Sequence, residues 1–505
     1  MNYNSTRNKK VSVSASEAIA SGISKDGGLF VPNSFPRYNY ETLCKLKNLD
    51  YKGRAKKIIG DFLAEFTLEQ VNKCVEKAYT NEKFDGYNPT PLVLLQNGNI
   101  NMYVMELWHG PTCAFKDMAL QILPHLLSES LKNISSEKTA VILVATSGDT
   151  GKAALEGFKD VDSVEILVFY PELGVSDMQK RQMTTQDGNN VYVCAVNGNF
   201  DDAQTAIKNI FTDKECIEKL SNKNMIFSSA NSINWGRLLP QIVYYFSAYC
   251  DLMSTGEIDY DGEKINIVVP TGNFGNILAA YYAMKMGLPV NKLICASNSN
   301  NVLTDFINTG IYDRNRKFLQ TISPSMDILI SSNLERLLYD LTDYNDNIIN
   351  DWMNQLKNVG KYEVDFHTKE KLREIFYAGF CNDNNAKSTI KEMFETENYL
   401  CDTHTAVAIN VYKQYVNATE DIETPTVIAS TASPYKFSKS VLSAIAEINE
   451  GSKQDFDFVD ELSSITGTKI PNPIENIRRK KSRFNDVCSK SSIKDTILRV
   501  LDINK

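Results

Sequence analysis

From Ala140 onward the sequence alternates short apolar runs with stretches of helical spacing, and this alternation is what most limits the fold. Ala140–Ala145, Glu165–Tyr170, Val191–Val196, Ile226–Ala230, Ile265–Pro270, Leu293–Ser297 and Thr426–Ser430 read as buried strands. Thr150–Phe158, Asp201–Phe211, Trp235 to about Met253 and Asn276–Met286 read as helices between them. Strands that alternate with helices form parallel sheets covered by helices, so the fold class is α/β. In such sheets ligands bind at the carboxyl ends of strands, where loops lead into helices. The chemistry is therefore to be sought in those loops.

A chain of 505 residues is too long for one core. Residues 1–85 read as a separate N-terminal unit: a weakly amphipathic Val11–Ser21, a turn into a short strand at Gly27–Pro32, and Leu-, Lys- and Glu-rich helices over 41–80. Tyr87–Leu92, with two prolines, is a rigid linker into an extended piece. Residues 86–135 and 260–445 form a large domain, and 136–259 a smaller α/β domain. Residues 310–400, richer in Asn, Asp, Lys and Tyr, read as a helical insertion that bears on oligomerisation or lid movement more than on chemistry. Residues 446–505 are a C-terminal extension, whose basic run Arg478–Lys481 reads as a solvated helix face rather than as a site for an anionic partner.

Composition excludes several classes of function. The formal charge is −8, which argues against nucleic acid as a partner. No apolar run reaches about 18 residues, so no membrane span is expected. Met1–Lys10 lacks the apolar core of a signal peptide. Ten cysteines without a Cys-x-x-Cys pair fit reduced thiols in the cytoplasm. Four scattered histidines give no metal-site spacing.

Four strand-end segments and one lysine carry the candidate chemistry. In His109–Gln121, Gly110 and Pro111 break the chain, Thr112 is a plausible helix cap, and Phe115, Met118, Ala119, Ile122 and Leu123 mark a buried helical face that Pro124 would kink. Lys116, at the entrance to that face, is either a candidate amine for a Schiff base or an ordinary solvated lysine. Thr146–Gly151 could hold a carboxylate or phosphate at a helix N-terminus, or simply cap the helix. Val268–Asn276 resembles neither a Walker loop nor a dinucleotide fingerprint, and either suits the phosphate of a small cofactor or is an ordinary Gly/Asn turn. Ser430–Lys436 offers a hydroxyl to a ring nitrogen, or is no more than a turn. Asn231–Arg237 ends in an arginine suited to gripping an anion in two places, or exposed on a capped helix. Together these parts describe a device for pyridoxal phosphate and an acidic substrate.

His109–Gln121, Ser147–Gly151, Asn231–Arg237, Gly272–Asn276 and Ser430–Ala432 resemble the threonine synthase family in its longer bacterial and fungal form. Weaker matches at Tyr3–Arg7, Asp26–Pro32 and Asp402–Ala406 extend the likeness over nearly the whole chain. The resemblance implies a two-lobed fold-type-II pyridoxal phosphate enzyme, similar to the tryptophan synthase β subunit. It implies that Lys116 carries pyridoxal 5′-phosphate, that Gly272, Asn273, Phe274, Gly275 and Asn276 cradle the cofactor phosphate beside Phe115, and that Thr431 meets the ring nitrogen. It implies O-phosphohomoserine as substrate, bound by His109, Thr112, Ser147, Asp149, Thr150, Asn231, Asn234 and Arg237. A monomer or homodimer is expected. The rival outcomes are a phospho-lyase that releases 2-oxobutyrate and a non-catalytic ligand-binding homologue.

Overall fold

The computed structural model describes residues 1–503 apart from positions 85, 87, 98–99, 136, 147, 173–174, 199, 259–261, 449–450 and 452. Two sheets organise it. The larger has six strands in the order Phe376–Phe380, Val290–Ser297, Ile265–Pro270, Thr426–Ser430, Ile100–Glu106 and Leu92–Asn97. All neighbours are parallel except the last pair, an antiparallel hairpin. Every residue of Ile265–Pro270 and of Thr426–Ser430 is buried. Helices cover both faces, which is why these strands are continuous apolar runs rather than alternating ones. The α/β class with parallel-rich sheets is what the chain adopts.

The smaller sheet has five parallel strands in the order Val487–Ser489, Val191–Asn197, Val164–Pro171, Thr139–Ala145 and Met225–Ser228. In each sheet the strand order reverses beside one strand. In the small sheet that strand is Thr139–Ala145, and in the large sheet it is Ile265–Pro270. A crevice opens at the carboxyl end of a strand where the order reverses. Those two ends carry the loops into the helices Asp149–Phe158 and Gly275–Met286.

The helix Trp235–Thr255 is buried along almost its entire length. Leu238, Leu239, Ile242 and Val243 are fully enclosed, each worth about 1.5–3 kcal/mol in burial. The helix packs on Gly275–Met286 on one side and on Tyr51–Phe62 of the N-terminal unit on the other. The loop into Gly275–Met286 and the helix Asp117–Leu120 after Lys116 are thus both set against one rigid rod.

The structure departs from the sequence reading in four places. The stretch 310–400 is not only helical: Phe376–Phe380 joins the edge of the large sheet, and Ile311–Asp313 pairs with Lys361–Glu363. The strand Phe376–Phe380 follows the helix Phe366–Ile375 with no intervening turn, so no breaker marks it. Val487–Ser489, in the C-terminal extension, completes the small sheet. Val11–Ser21 divides into a strand, Asn8–Val13, and a helix, Ala15–Ser21, opened by a Ser14–Glu17 capping box. Pro124 does not kink a helix: one helix ends at Leu120 and the next runs Leu123–Asn133, with the proline in its first turn, where no N–H is required. Among the described residues no helix is long and apolar enough to cross a membrane, and no group of histidines, cysteines and carboxylates could hold a metal ion.

Candidate active site

The lysine segment follows the strand Ile100–Glu106 and is sewn to the chain that follows Thr426–Ser430. Leu107 donates its N–H to Ser430 O at 3.0 Å, Phe115 to Thr431 O at 2.9 Å, and Ser433 to Cys113 O at 3.1 Å. Ala114 and Ala432 form an isolated antiparallel bridge. This stitching delivers Lys116 to the head of the short helix Asp117–Leu120 and places Thr431 beside it. Lys116, not Thr112, occupies the cap position, and no side chain caps the helix. Thr112 instead donates its N–H (2.8 Å) and its hydroxyl (2.7 Å) to the Asp117 carboxylate. Burial pushes the Asp117 carboxyl up to about 6, against those two bonds and the Lys436 charge.

Lys116 is 9% exposed, which decides against a solvated lysine. Its Nζ lies 3.4 Å from Ser325 Oγ, 3.6 Å from Asp149 Oδ2 and 5.1 Å from the centre of the Phe115 ring. Burial lowers its pKa; Asp149 opposes this, and Lys436 and Arg237 reinforce it. An amine held so is more readily unprotonated, as a nucleophile must be.

Asp149 opens the helix Asp149–Phe158, which follows the small-sheet strand Thr139–Ala145, and faces Lys116. Its Oδ1 pairs with Lys436 Nζ at 2.9 Å and accepts from Gln179 Nε2 at 3.2 Å. Its Oδ2 accepts from Ser325 Oγ at 3.3 Å. Burial works against its charge, yet Lys436 and Lys116 together hold the carboxyl well below the usual range. Gly148, which precedes it, has φ +156 and lies so close to Gln179 that a Cβ there would collide with that side chain. Thr150 is half-buried, and Ser147 lies outside the described residues.

The Thr271–Asn276 loop has the features of an anion cradle. A Cβ on Gly272 would sit 2.9 Å from Ser325 O, so the loop must pass there bare of a side chain. Phe274 adopts φ +64, and the helix Gly275–Met286 that follows has no side-chain cap on its N–H groups. The Nδ2 of Asn276 is buried without a partner, while its Oδ1 accepts from Tyr244 and Tyr245. Bare backbone, free helix N–H groups and an orphaned amide fit the phosphate of pyridoxal phosphate. Ser325 touches both this loop and Lys116, so cradle and amine belong to one site.

Arg237 is 6% exposed and makes one bond, from Nη1 to Ala230 O at 2.8 Å. Among the described residues no carboxylate lies within ion-pair distance of it. Asn234 spends its amide on Ile19 O, Ser229 O and the N–H of Gly236, holding the turn that presents the arginine. Asn231 is exposed at the start of that turn. His109 is not brought to Lys116 by any bond: its Nε2 pairs with Glu106 at 2.7 Å and its ring stacks on Trp108.

Sequence reasoning missed Ser325, His404 and the role of Lys436. The expectation that 310–400 bears little on the chemistry is corrected by Ser325, whose hydroxyl reaches Lys116 and Asp149. Its N–H donates to His404 Nε2 at 3.2 Å, and His404 Nδ1 in turn donates to Asp402 Oδ1 at 2.8 Å. No periodicity marks Ser323–Met326. The available signal was Asp402–His404 itself, a buried acid–histidine pair.

The chain matches the family models described as "Threonine synthase N terminus" over residues 2–79, "Pyridoxal-phosphate dependent enzyme" over 83–430 and "Threonine synthase, C-terminal" over 405–497. It is 35% identical to the threonine synthase of Saccharomyces cerevisiae, covering 92% of this chain and 93% of that one. It is 42% identical to human threonine synthase-like 1 over 86% of this chain, and spans 59% of the length of that relative. Among solved structures it resembles threonine synthase from yeast, with TM-score 0.88 and 33% identity, and PLP-bound threonine synthase from Brucella melitensis, with TM-score 0.86 and 33% identity. Each of these two covers 99% of both chains. With three family models in sequence order, a relative matched end to end and a lysine that shares one pocket with an anion cradle, the chain belongs to the threonine synthase family of pyridoxal-phosphate dependent enzymes.

Proposed function

We propose that the protein is a threonine synthase, a pyridoxal-phosphate dependent lyase. It would convert O-phosphohomoserine and water to L-threonine and phosphate, the last step of threonine biosynthesis. The observation that carries this reading is Arg237. A buried guanidinium that among the described residues makes one side-chain bond and meets no carboxylate, and whose charge acts on Lys116, offers its remaining donors to an anion beside a reactive amine. A substrate with both a carboxylate and a phosphate answers it.

When bound, the cofactor supplies an electron sink for the substrate's α-carbon. Gly272, Asn273, Phe274, Gly275 and Asn276 hold its phosphate, Thr431 offers a hydroxyl to its ring nitrogen, and Phe115 packs beside the lysine. With substrate bound, Lys116 Nζ would take the α-proton and a β-proton as phosphate leaves the γ-carbon, return one proton to the γ-carbon, and return the other to the α-carbon once water has added its hydroxyl at the β-carbon. Arg237, Asn231, Ser147 and Thr150 divide the carboxylate and the phosphate between them. Asp149 orients Lys116 from across the crevice. Thr112 and Asn234 act through the turns they hold, and His109 through the wall it forms with Glu106.

The large domain comprises 86–135 and 260–445, and the small domain 136–259, with flanking units 1–85 and 446–505. The enzyme acts in the cytoplasm as a monomer or homodimer. The test is the product. Purified protein loaded with cofactor and given O-phosphohomoserine is expected to yield threonine and phosphate in equal amounts. 2-Oxobutyrate with ammonia would show a lyase that stops early. A colourless protein that takes up no cofactor would show a ligand-binding homologue.

A further inference from the structure

A cavity of about 220 Å³ is walled by the helices Leu68–Ala78, Leu123–Asn133 and Asp149–Phe158. None of the residues given above to cofactor or substrate lines it. Two of its walls nonetheless lead back to the active site. Leu123–Asn133 follows the short helix headed by Lys116, and Asp149–Phe158 is headed by Asp149. The last two meet closely: a Cβ on Gly157, in the cavity wall, would collide with Leu120 O.

The lining carries both signs, but most of its charges are paired. Glu129 meets Lys73 at 3.1 Å and Lys132 at 2.9 Å. Glu156 meets Lys152 at 2.9 Å and Lys159 at 4.0 Å. Asp160 and Asp162 are exposed, and Asp160 accepts the N–H of Asn189 at 2.8 Å. Four groups remain: Lys77, Lys83, His125 and Ser128. Among the described residues neither of these lysines has a carboxylate at ion-pair distance, and neither the His125 ring nor the Ser128 hydroxyl makes a hydrogen bond. Lys77 lies in the last turn of its helix, where a cation is favoured without a partner. Lys83 is half-buried in the turn beyond, and its Nζ donates to Lys77 O at 2.9 Å. That bond spends one of the three donors of an ammonium and leaves the others. Loss of water lowers the Lys83 pKa, and the same loss, with the cations Lys83, Lys77 and Lys73, pushes His125 down to about 3. The space between these groups refuses a further positive charge and favours a negative one.

We propose that this cavity binds a small phosphate-bearing anion, held by Lys77, Lys83, His125 and Ser128. Two ammoniums and two neutral donors answer a dianion with several oxygens, whereas a single carboxylate would meet only one of the cations. The volume lies below the roughly 300–1,000 Å³ of pockets for drug-sized ligands, so the occupant is inorganic phosphate or a short phosphate monoester. Bound there, it would brace the far end of the helix that carries Asp149 against the N-terminal unit. The inference stands apart from the proposed reaction, since the two sites share no residue.

The test uses full-length holoenzyme labelled with ¹³C at histidine, and inorganic phosphate as the probe at constant ionic strength. The ring resonance of His125 is assigned by its loss in His125→Asn. Phosphate at pH 7 is expected to shift that resonance saturably. In Lys83→Met and in Lys77→Met the apparent Kd should rise by about 10- to 100-fold, the effect of one lost charge-assisted contact. Lys83→Arg keeps the charge and should stay close to the native protein. Arg237→Gln, which alters the active site, should leave the His125 titration unchanged. A resonance unmoved by phosphate up to tens of millimolar would overturn the proposal, as would an affinity unchanged in both lysine-to-methionine variants. Glycerol 3-phosphate separates the two sources: tighter binding than inorganic phosphate assigns the cavity to a monoester, weaker binding to phosphate itself. Succinate binding as tightly as either would overturn the phosphate assignment.

Discussion

Arg237 and Arg336 are both buried, and among the described residues neither has a carboxylate at ion-pair distance. Burial brings both down to about 10, far enough above neutrality that both stay charged. They differ in what they touch. Arg336 donates to Phe30 O at 3.0 Å, Asn333 Oδ1 at 2.6 Å and Ile233 O at 2.6 Å, which joins the N-terminal unit to two loops beside the site. Arg237 donates to Ala230 O alone. A buried cation whose donors are spent within the protein is a strut; one whose donors are left over is a receptor. The lysines divide the same way: Lys436 holds an ion pair at 2.9 Å and a backbone hydrogen bond at 2.8 Å, and Lys116 has only loose contacts.

This division can be broken most sharply at Lys116. Lys116→Ala is expected to reduce turnover to background and to abolish the cofactor's visible absorbance, with thermal unfolding little changed; measurable threonine formation would place the chemistry elsewhere. Arg237→Gln comes next. Losing a charge-assisted grip costs about 2–5 kcal/mol, so kcat/KM for O-phosphohomoserine should fall by about 30- to 5,000-fold, while urea stability holds or rises. Equal losses in stability and in kcat/KM would make Arg237 a strut as well.

Arg336→Gln should show the converse. Stranding Phe30 O and Ile233 O should lower stability by about 2–4 kcal/mol in urea titration, and kcat/KM of the folded fraction should change less than about twofold. The smallest effect is expected at His125. This side chain is half-buried beside Lys83, Lys77 and Lys73, and its loss of water, with those cations, pushes its pKa down from 6.5 to about 3. Unlike an arginine, it meets its surroundings by giving up the proton. Above pH 6.5 it costs nothing. Below that the unfolded chain takes up a proton that the folded one refuses, so stability is lost as pH falls. His125→Asn should recover about 1 kcal/mol at pH 5.5 and nothing at pH 8, measured by urea unfolding.

The parallel strands were legible because they are buried on both faces and end in glycine, hydroxyl or asparagine turns. Ala140–Ala145 and Ile265–Pro270 show their character in five or six consecutive residues, and the loops after them could be read as ligand loops for the same reason. Phe376–Phe380 was hidden because a helix runs straight into it. Val487–Ser489 was hidden because a three-residue edge strand carries no period. Ser325 was hidden for a further reason: its position comes from a backbone N–H meeting His404, 79 residues away, and no local spacing encodes such a meeting. Thr112 shows the reverse error. It stands where a cap belongs, but the buried Asp117 claims both its donors.

The placement of Val487–Ser489 affects how the molecule can be made. Until those residues leave the ribosome, the strand Val191–Asn197 lacks the neighbour it has in the finished protein, and its row of amides and carbonyls is a template on which another nascent chain could add. Shortening the polypeptide ahead of residue 487 would make that exposure permanent. The damage from such a truncation would then surface as clumping during expression, at a distance from Lys116 and before any question of turnover arises.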